Sequence, residues 1–168
     1  MKVVHVRWLM TAIAATVIAA AASVAIAQSV APPAKVDASK AAAAAKDRDD
    51  YMKANSAREK ILIAVMKGEA SLDAKAVDAA TAQATAMKSM LSQFPQGSGA
   101  DVVKDSRAKP EIWTQWDKFA QLAAAAVPAT EAAAVAAKSG DVKAFNEKQD
   151  VAVKACAACH KDYRAPKQ

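Results

Sequence analysis

Residues 141–164 read DVKAFNEKQDVAVKACAACHKDYR. Phe145, Gln149, Ala152, Cys156, Cys159 and Tyr163 recur at steps of three and four and so share one face of a helix, with Asp141 placed to cap its start. The stretch closes on Cys156-Ala157-Ala158-Cys159-His160, the Cys-x-x-Cys-His spacing of covalent c-type haem attachment. Two cysteines three apart on a helix lie on one face, where each thiol can add to a haem vinyl group to form a thioether. His160, next to the second sulfur, can then bring an imidazole nitrogen under the iron. Other readings of the motif are weaker. A thioredoxin-like pair belongs beside a βαβ pattern, and the sequence holds no strand pattern. A zinc site needs four ligands, and the only histidine besides His160 is His5, far away in the N-terminal segment. A plain disulfide would close a four-residue loop and leave His160 unexplained.

Working outward, the rest of the chain is also helical in pattern. Its 168 residues hold 47 alanines against 4 glycines, a balance that favours helix and excludes sandwiches and Greek-key barrels. Glycines and most prolines fall between apolar-periodic segments. The first helix is predicted from about Ser39 to Lys67, stopped by Gly68. The second runs from about Asp73 to Gln93, its stripe passing through Leu72, Ala76, Ala79, Gln83, Met87, Met90 and Phe94. A long loop from Phe94 to Pro110 follows, and the third helix starts at Pro110 and continues through Ile112, Trp113, Trp116, Phe119 and Ala123. Pro128 either kinks it or starts a new turn. The last helix spans Asp141 to about Arg164. Four amphipathic helices with mostly short connections give an all-α, antiparallel up-down-up-down four-helix bundle. Alanine buries little area per residue, so a bulky covalent haem c would help to fill the interior. Trp113 and Trp116 are expected as packing residues rather than electron relays.

Residues 1–27 read as a secretory signal peptide. Lys2 and Arg7 form a positive start, Trp8 to Ala27 is uncharged, and Ala25-Ile26-Ala27 is a small-x-small cleavage site before Gln28. The competing reading is an uncleaved anchor, but the stretch is rich in Ala, Thr and Ser rather than Leu or Phe. The expected organisation is a signal peptide over 1–27, a flexible leader over 28–38 and one bundle over 39–168, located in the periplasm. Loss of Lys2 and Arg7 takes the formal charge from +6 to +4. The remaining charges alternate in sign, as in Lys46-Asp47-Arg48-Asp49-Asp50, and no Lys/Arg block carries interleaved aromatics. Nucleic-acid binding is therefore not expected, nor membrane association after cleavage.

With no second histidine in the mature chain, bis-histidine ligation of the iron is impossible. The sixth position falls to a methionine, a lysine, a small ligand or nothing, and the mature methionines are Met52, Met66, Met87 and Met90. A methionine on a helix stripe is more often gap-filling core than ligand.

A haem motif at the C-terminal end of a four-helix bundle, continuing Cys-His-Lys-Asp-Tyr-Arg, resembles the class II cytochromes c, the cytochrome c′ family. The resemblance extends to Arg48-Asp-Asp-Tyr-Met52-Lys53, Met66-Lys-Gly-Glu69, Phe94-Pro95, Pro110-Glu-Ile-Trp113 and Lys118-Phe119. It implies that Met52 lies on the distal side of the haem. In high-spin members that position usually holds a large side chain that does not bind iron. In low-spin members, the cytochrome c-556 type, it is a methionine ligand, and Tyr-Met-Lys-Ala-Asn (51–55) looks more like this second version. The resemblance further implies that Arg48 approaches a haem propionate and that Arg164 lies beside the proximal haem face, each against the alternative of an ordinary surface ion pair.

The function implied is one-electron transfer by a His160/Met52-ligated haem c, not enzymatic turnover. The alternative is a five-coordinate haem that binds nitric oxide or carbon monoxide for sensing, storage or detoxification. Periplasmic redox proteins are the expected partners, with Lys154, Lys161 and Lys167 available to attract acidic surfaces. The family includes dimers built through the first two helices, so a monomer or a homodimer is expected.

Overall fold

The computed structural model describes residues 30–167. The signal-peptide segment and the start of the leader lie outside them. Five helices follow in order: α1 (Ala38–Met66), α2 (Ala74–Lys88), α3 (Glu111–Thr114), α4 (Trp116–Ser139) and α5 (Val142–Tyr163). The described residues hold no β-strand, only a single bridge between Ala108 and Arg164. The four long helices form the antiparallel bundle, with α1 beside α2, α2 beside α4, α4 along α5, and α5 returning to α1. By length and composition α4 could cross a membrane, yet half of its most apolar stretch is buried inside the bundle.

The starts and stops follow the expected chemistry. Asp73 accepts from the Ala76 amide and Asp141 from the Ala144 amide, each satisfying an orphan donor in a first turn. Gly140 closes α4 at φ +73, a left-handed conformation that glycine adopts without strain, and so turns the chain directly into α5.

Three local features depart from the sequence expectation. The second helix ends as an α-helix at Lys88 and tightens into a 3-10 turn at Met90–Gln93. There the Ser89 hydroxyl donates to Ala86 O at 3.1 Å and the Ser92 hydroxyl to Ser89 O at 2.7 Å, local bonds that compete with the regular ladder. The third helix is interrupted at Gln115 (φ −122, ψ 38), whose side chain accepts from the Tyr163 hydroxyl at 3.3 Å. No new turn starts at Pro128, through which α4 runs unbroken. Third, composition suggests a flexible leader, but its described part is tied down. The Val36 amide donates to Gln96 O at 2.9 Å, and Trp116 Nε1 donates to Val30 O.

The long loop after α2 is equally anchored. Trp113 Nε1 donates to Phe94 O at 3.0 Å, and Gly99 lies so close to the Trp113 ring that a Cβ there would come within 2.5 Å of it. Both tryptophans thus serve packing. The core divides into two clusters. One, toward the C-terminal end of α5, is aromatic and holds Phe94, Ile112, Trp116, Phe119 and Tyr163; Phe119 meets Phe94 and Tyr163 edge to face at 4.7 and 5.3 Å. The other is mostly alanine around Leu62, Val65 and Phe145.

Candidate haem site

Helix α5 brings the motif to the aromatic end of the bundle. Cys156 and Cys159 are half-buried and both are free thiols, not a disulfide. Burial, the largest cause for each, pushes both thiols up to about 11; Glu59 adds to the effect at Cys156, and Cys156 and Asp162 add to it at Cys159. Both therefore stay protonated at neutral pH, the form in which S–H adds across a vinyl group. His160 is pulled down to about 4, first by burial and then by the charges of Arg164 and Arg107. Its imidazole is neutral at pH 7 and keeps a lone pair for a metal.

The opposite wall is α1. Met52 and Tyr51 are partly buried there and pack on the same aromatic cluster as Cys159 and Ala155 of α5, together with Leu122 and Val127 of α4. Helix α5 packs along α4 but touches α1 only sparsely, so the seam between Met52 and the cysteines is the loosely closed side of the bundle. Two neutral thiols, a neutral imidazole and a thioether across a thinly packed seam fit a covalently held haem c. Met66 falls in the other cluster, and Met87 and Met90 are buried as core.

The two arginines part company. Arg164 is exposed, and its charge acts on His160. Its backbone pairs with the preceding loop, with Ala165 N donating to Arg107 O at 2.8 Å and Lys109 N to Tyr163 O at 3.1 Å. Arg48, by contrast, is only 5% exposed and its fork is occupied by protein. Nη1 donates to Ser98 Oγ (2.7 Å) and Gln93 O (3.3 Å), and Nη2 to Ser98 O (2.6 Å) and Ser106 Oγ (2.9 Å). Burial draws this guanidinium down to about 10, so it remains charged at neutral pH. These bonds make Arg48 a latch between α1 and the segment after α2.

Sequence reasoning missed Arg107 and a polar cluster of Glu59, Gln83 and Gln149. The signal for the latter was visible, because Gln83 and Gln149 interrupt otherwise apolar stripes.

Comparison with known proteins agrees with this geometry. A family model described as Cytochrome C′ matches residues 43–164. A cytochrome c′ from Pararhodospirillum photometricum is 31% identical over 117 residues, 70% of this chain and 92% of that protein. A cytochrome c-556 from Agrobacterium fabrum is 36% identical over 129 residues, 76% of this chain and 84% of that one. A solved structure of cytochrome c′ from Rhodobacter spheriodes superimposes with a TM-score of 0.70 at 29% identity, covering 79% of this chain and all of the other.

Proposed function

We propose, from the premise that this chain belongs to the cytochrome c′ family and carries its one covalent haem c, that it is a periplasmic one-electron carrier with His160 and Met52 as axial ligands. The observation that supports it is the position of Met52, the described methionine that is partly exposed on the cluster shared with Cys159. Bound haem c supplies an iron that cycles between ferric and ferrous states by one electron. The chain's residues do the rest. Cys156 and Cys159 tether the group, His160 offers its lone pair, and the aromatic cluster keeps water from one side. Met52 and His160 together would stabilise the reduced state of a bound haem relative to other ligand sets and so raise its potential. With both positions filled in this reading, the iron would keep no open seat for a substrate, as suits a carrier. Residues 1–27 serve as the export signal in this reading. Lys161 and Lys167, both exposed, would meet an acidic redox partner, while Lys154 is drawn to Asp150 at 2.6 Å.

A second reading, a five-coordinate haem that takes nitric oxide or carbon monoxide, draws support from the relatives named cytochrome c′. Absorption spectra of the haem-loaded protein separate the two. The carrier predicts sharp low-spin bands, a ferric methionine-to-iron charge-transfer band that Met52→Ala abolishes, and little response of the reduced form to carbon monoxide. A broad high-spin spectrum that shifts readily with carbon monoxide would overturn it in favour of gas binding.

A further inference from the structure

One carboxylate inside the bundle is held by side chains from two other helices. Gln83 Nε2 of α2 donates to Glu59 Oε2 of α1, and Gln149 Nε2 of α5 donates to the same carboxylate at 3.2 and 3.4 Å. Gln149 is fully buried and Gln83 is 3% exposed, while Glu59 is half-buried. Gln149 Oε1 has no hydrogen-bond partner, so its amide is oriented by what its nitrogen donates to, namely Glu59 and, at 3.4 Å, Gln83 Oε1. Among the described residues no lysine or arginine lies within ion-pairing distance of Glu59. Two amide donors and no paired cation leave the Glu59 carboxylate hydrogen-bonded but without an opposite charge beside it.

The helical register fixes where this charge lies. Glu59 is seven residues beyond Met52 on α1, and Gln149 is seven before Cys156 on the antiparallel α5. At 1.5 Å per residue the cluster lies about 10 Å along the seam from the level of Met52 and Cys156. The field of Glu59 reaches Cys156, whose thiol it helps to keep protonated.

We propose that Glu59, held in place by Gln83 and Gln149, is a potential-setting residue: its fixed negative charge favours the ferric state and lowers the midpoint potential of the haem. Reduction takes one electron from a donor redox protein, converts ferric to ferrous iron, lowers the charge of the site by one and makes no bond. A carboxylate about two helical turns along the seam from the attachment cysteine opposes that added charge, and removing it favours the ferrous state. The inference rests on haem attachment at Cys156 and holds for either occupant of the sixth position.

The test is a spectroelectrochemical titration of the haem-loaded protein at one pH and ionic strength. Glu59→Gln keeps the shape and loses the charge; its midpoint potential is expected to rise, with the ferrous-to-ferric ratio at a fixed poise up by on the order of tenfold. Glu59→Asp, which keeps the charge, should stay near the wild type. The absorption spectra of all three should coincide, since no ligand is altered. A wild-type potential in Glu59→Gln overturns the inference. If that variant fails to load haem, Glu59→Leu takes its place under the same criterion. A high-spin, carbon monoxide-responsive wild type would end the carrier reading, and a raised potential in Glu59→Gln would still support the Glu59 inference. A low-spin wild type with no shift in Glu59→Gln would end only the Glu59 inference.

Discussion

Lys46 and Arg48 stand two residues apart on α1, yet their charges do different things. Lys46 pairs with Asp50 one turn on, both side chains more than half exposed, where solvent and salt screen the attraction. Arg48 points inward and donates three hydrogen bonds to the loop after α2 and one to Gln93 O at the end of the 3-10 turn. Arg48→Met keeps the aliphatic stem but strands the Ser98 carbonyl and its neighbours, at a cost of about 3 kcal/mol. Thermal denaturation of the haem-loaded variant should show a Tm lower by on the order of 10 °C, and Lys46→Ala should not measurably move it. An unchanged Tm in Arg48→Met would remove the latch role. The contrast also marks what could be read in advance. Cys156, Cys159 and His160 were legible because one helix carries them at a spacing that the attachment chemistry demands. The partners of Arg48 were not, because Ser98 and Ser106 lie in a loop without periodicity and only the fold brings them to α1.

At the level of elements, helices were legible through their punctuation and less so through their interiors. Asp73, Asp141 and Gly140 act locally, so their capping chemistry shows in the sequence. At the interruption of the third helix, Gln115 meets Tyr163 from α5, a tertiary contact that no local pattern reveals. Pro128 looked the better breaker. It is tolerated because it lies on the exposed side of α4, as does Ala124, whose carbonyl loses its amide donor and can turn to water. Thr130 secures the turn from the inside, its hydroxyl donating to Ala126 O and Val127 O at 2.9 Å each. Pro128→Ala restores the missing ladder bond, and a stabilisation of about 1 kcal/mol is expected, less than the full cost of a buried interior proline because the Ala124 carbonyl is on the exposed side of the helix. Chemical denaturation should show a higher midpoint with an unchanged slope. A lower midpoint would mean that the proline ring itself packs the turn.

For the molecule as a whole, the question is what closes the seam between α1 and α5. The buried positions of α1 are Ala41, Ala45, Arg48, Asn55, Leu62 and Val65, and four of these six are alanine or polar. That composition made the bundle legible as a class but hid which face of α1 turns inward, since an alanine-rich helix with two buried polar residues has little apolar stripe to read. It also means that α1 offers α5 little apolar area, and the two touch sparsely. By contrast, α4 with α5 and α2 with α4 pack extensively on their own side chains. Cys156→Ser combined with Cys159→Ser, which removes covalent attachment, should therefore unpick the molecule unevenly. Far-UV circular dichroism should retain most of the helical signal from α2, α4 and α5. The near-UV signal should fall, a hydrophobic dye should bind, and the thermal transition should broaden and move down by on the order of 10 °C or more. A sharp transition at the holoprotein's midpoint would instead mean that α1 and α5 close on their own side chains, and the thin seam could then no longer be taken as the space a haem fills.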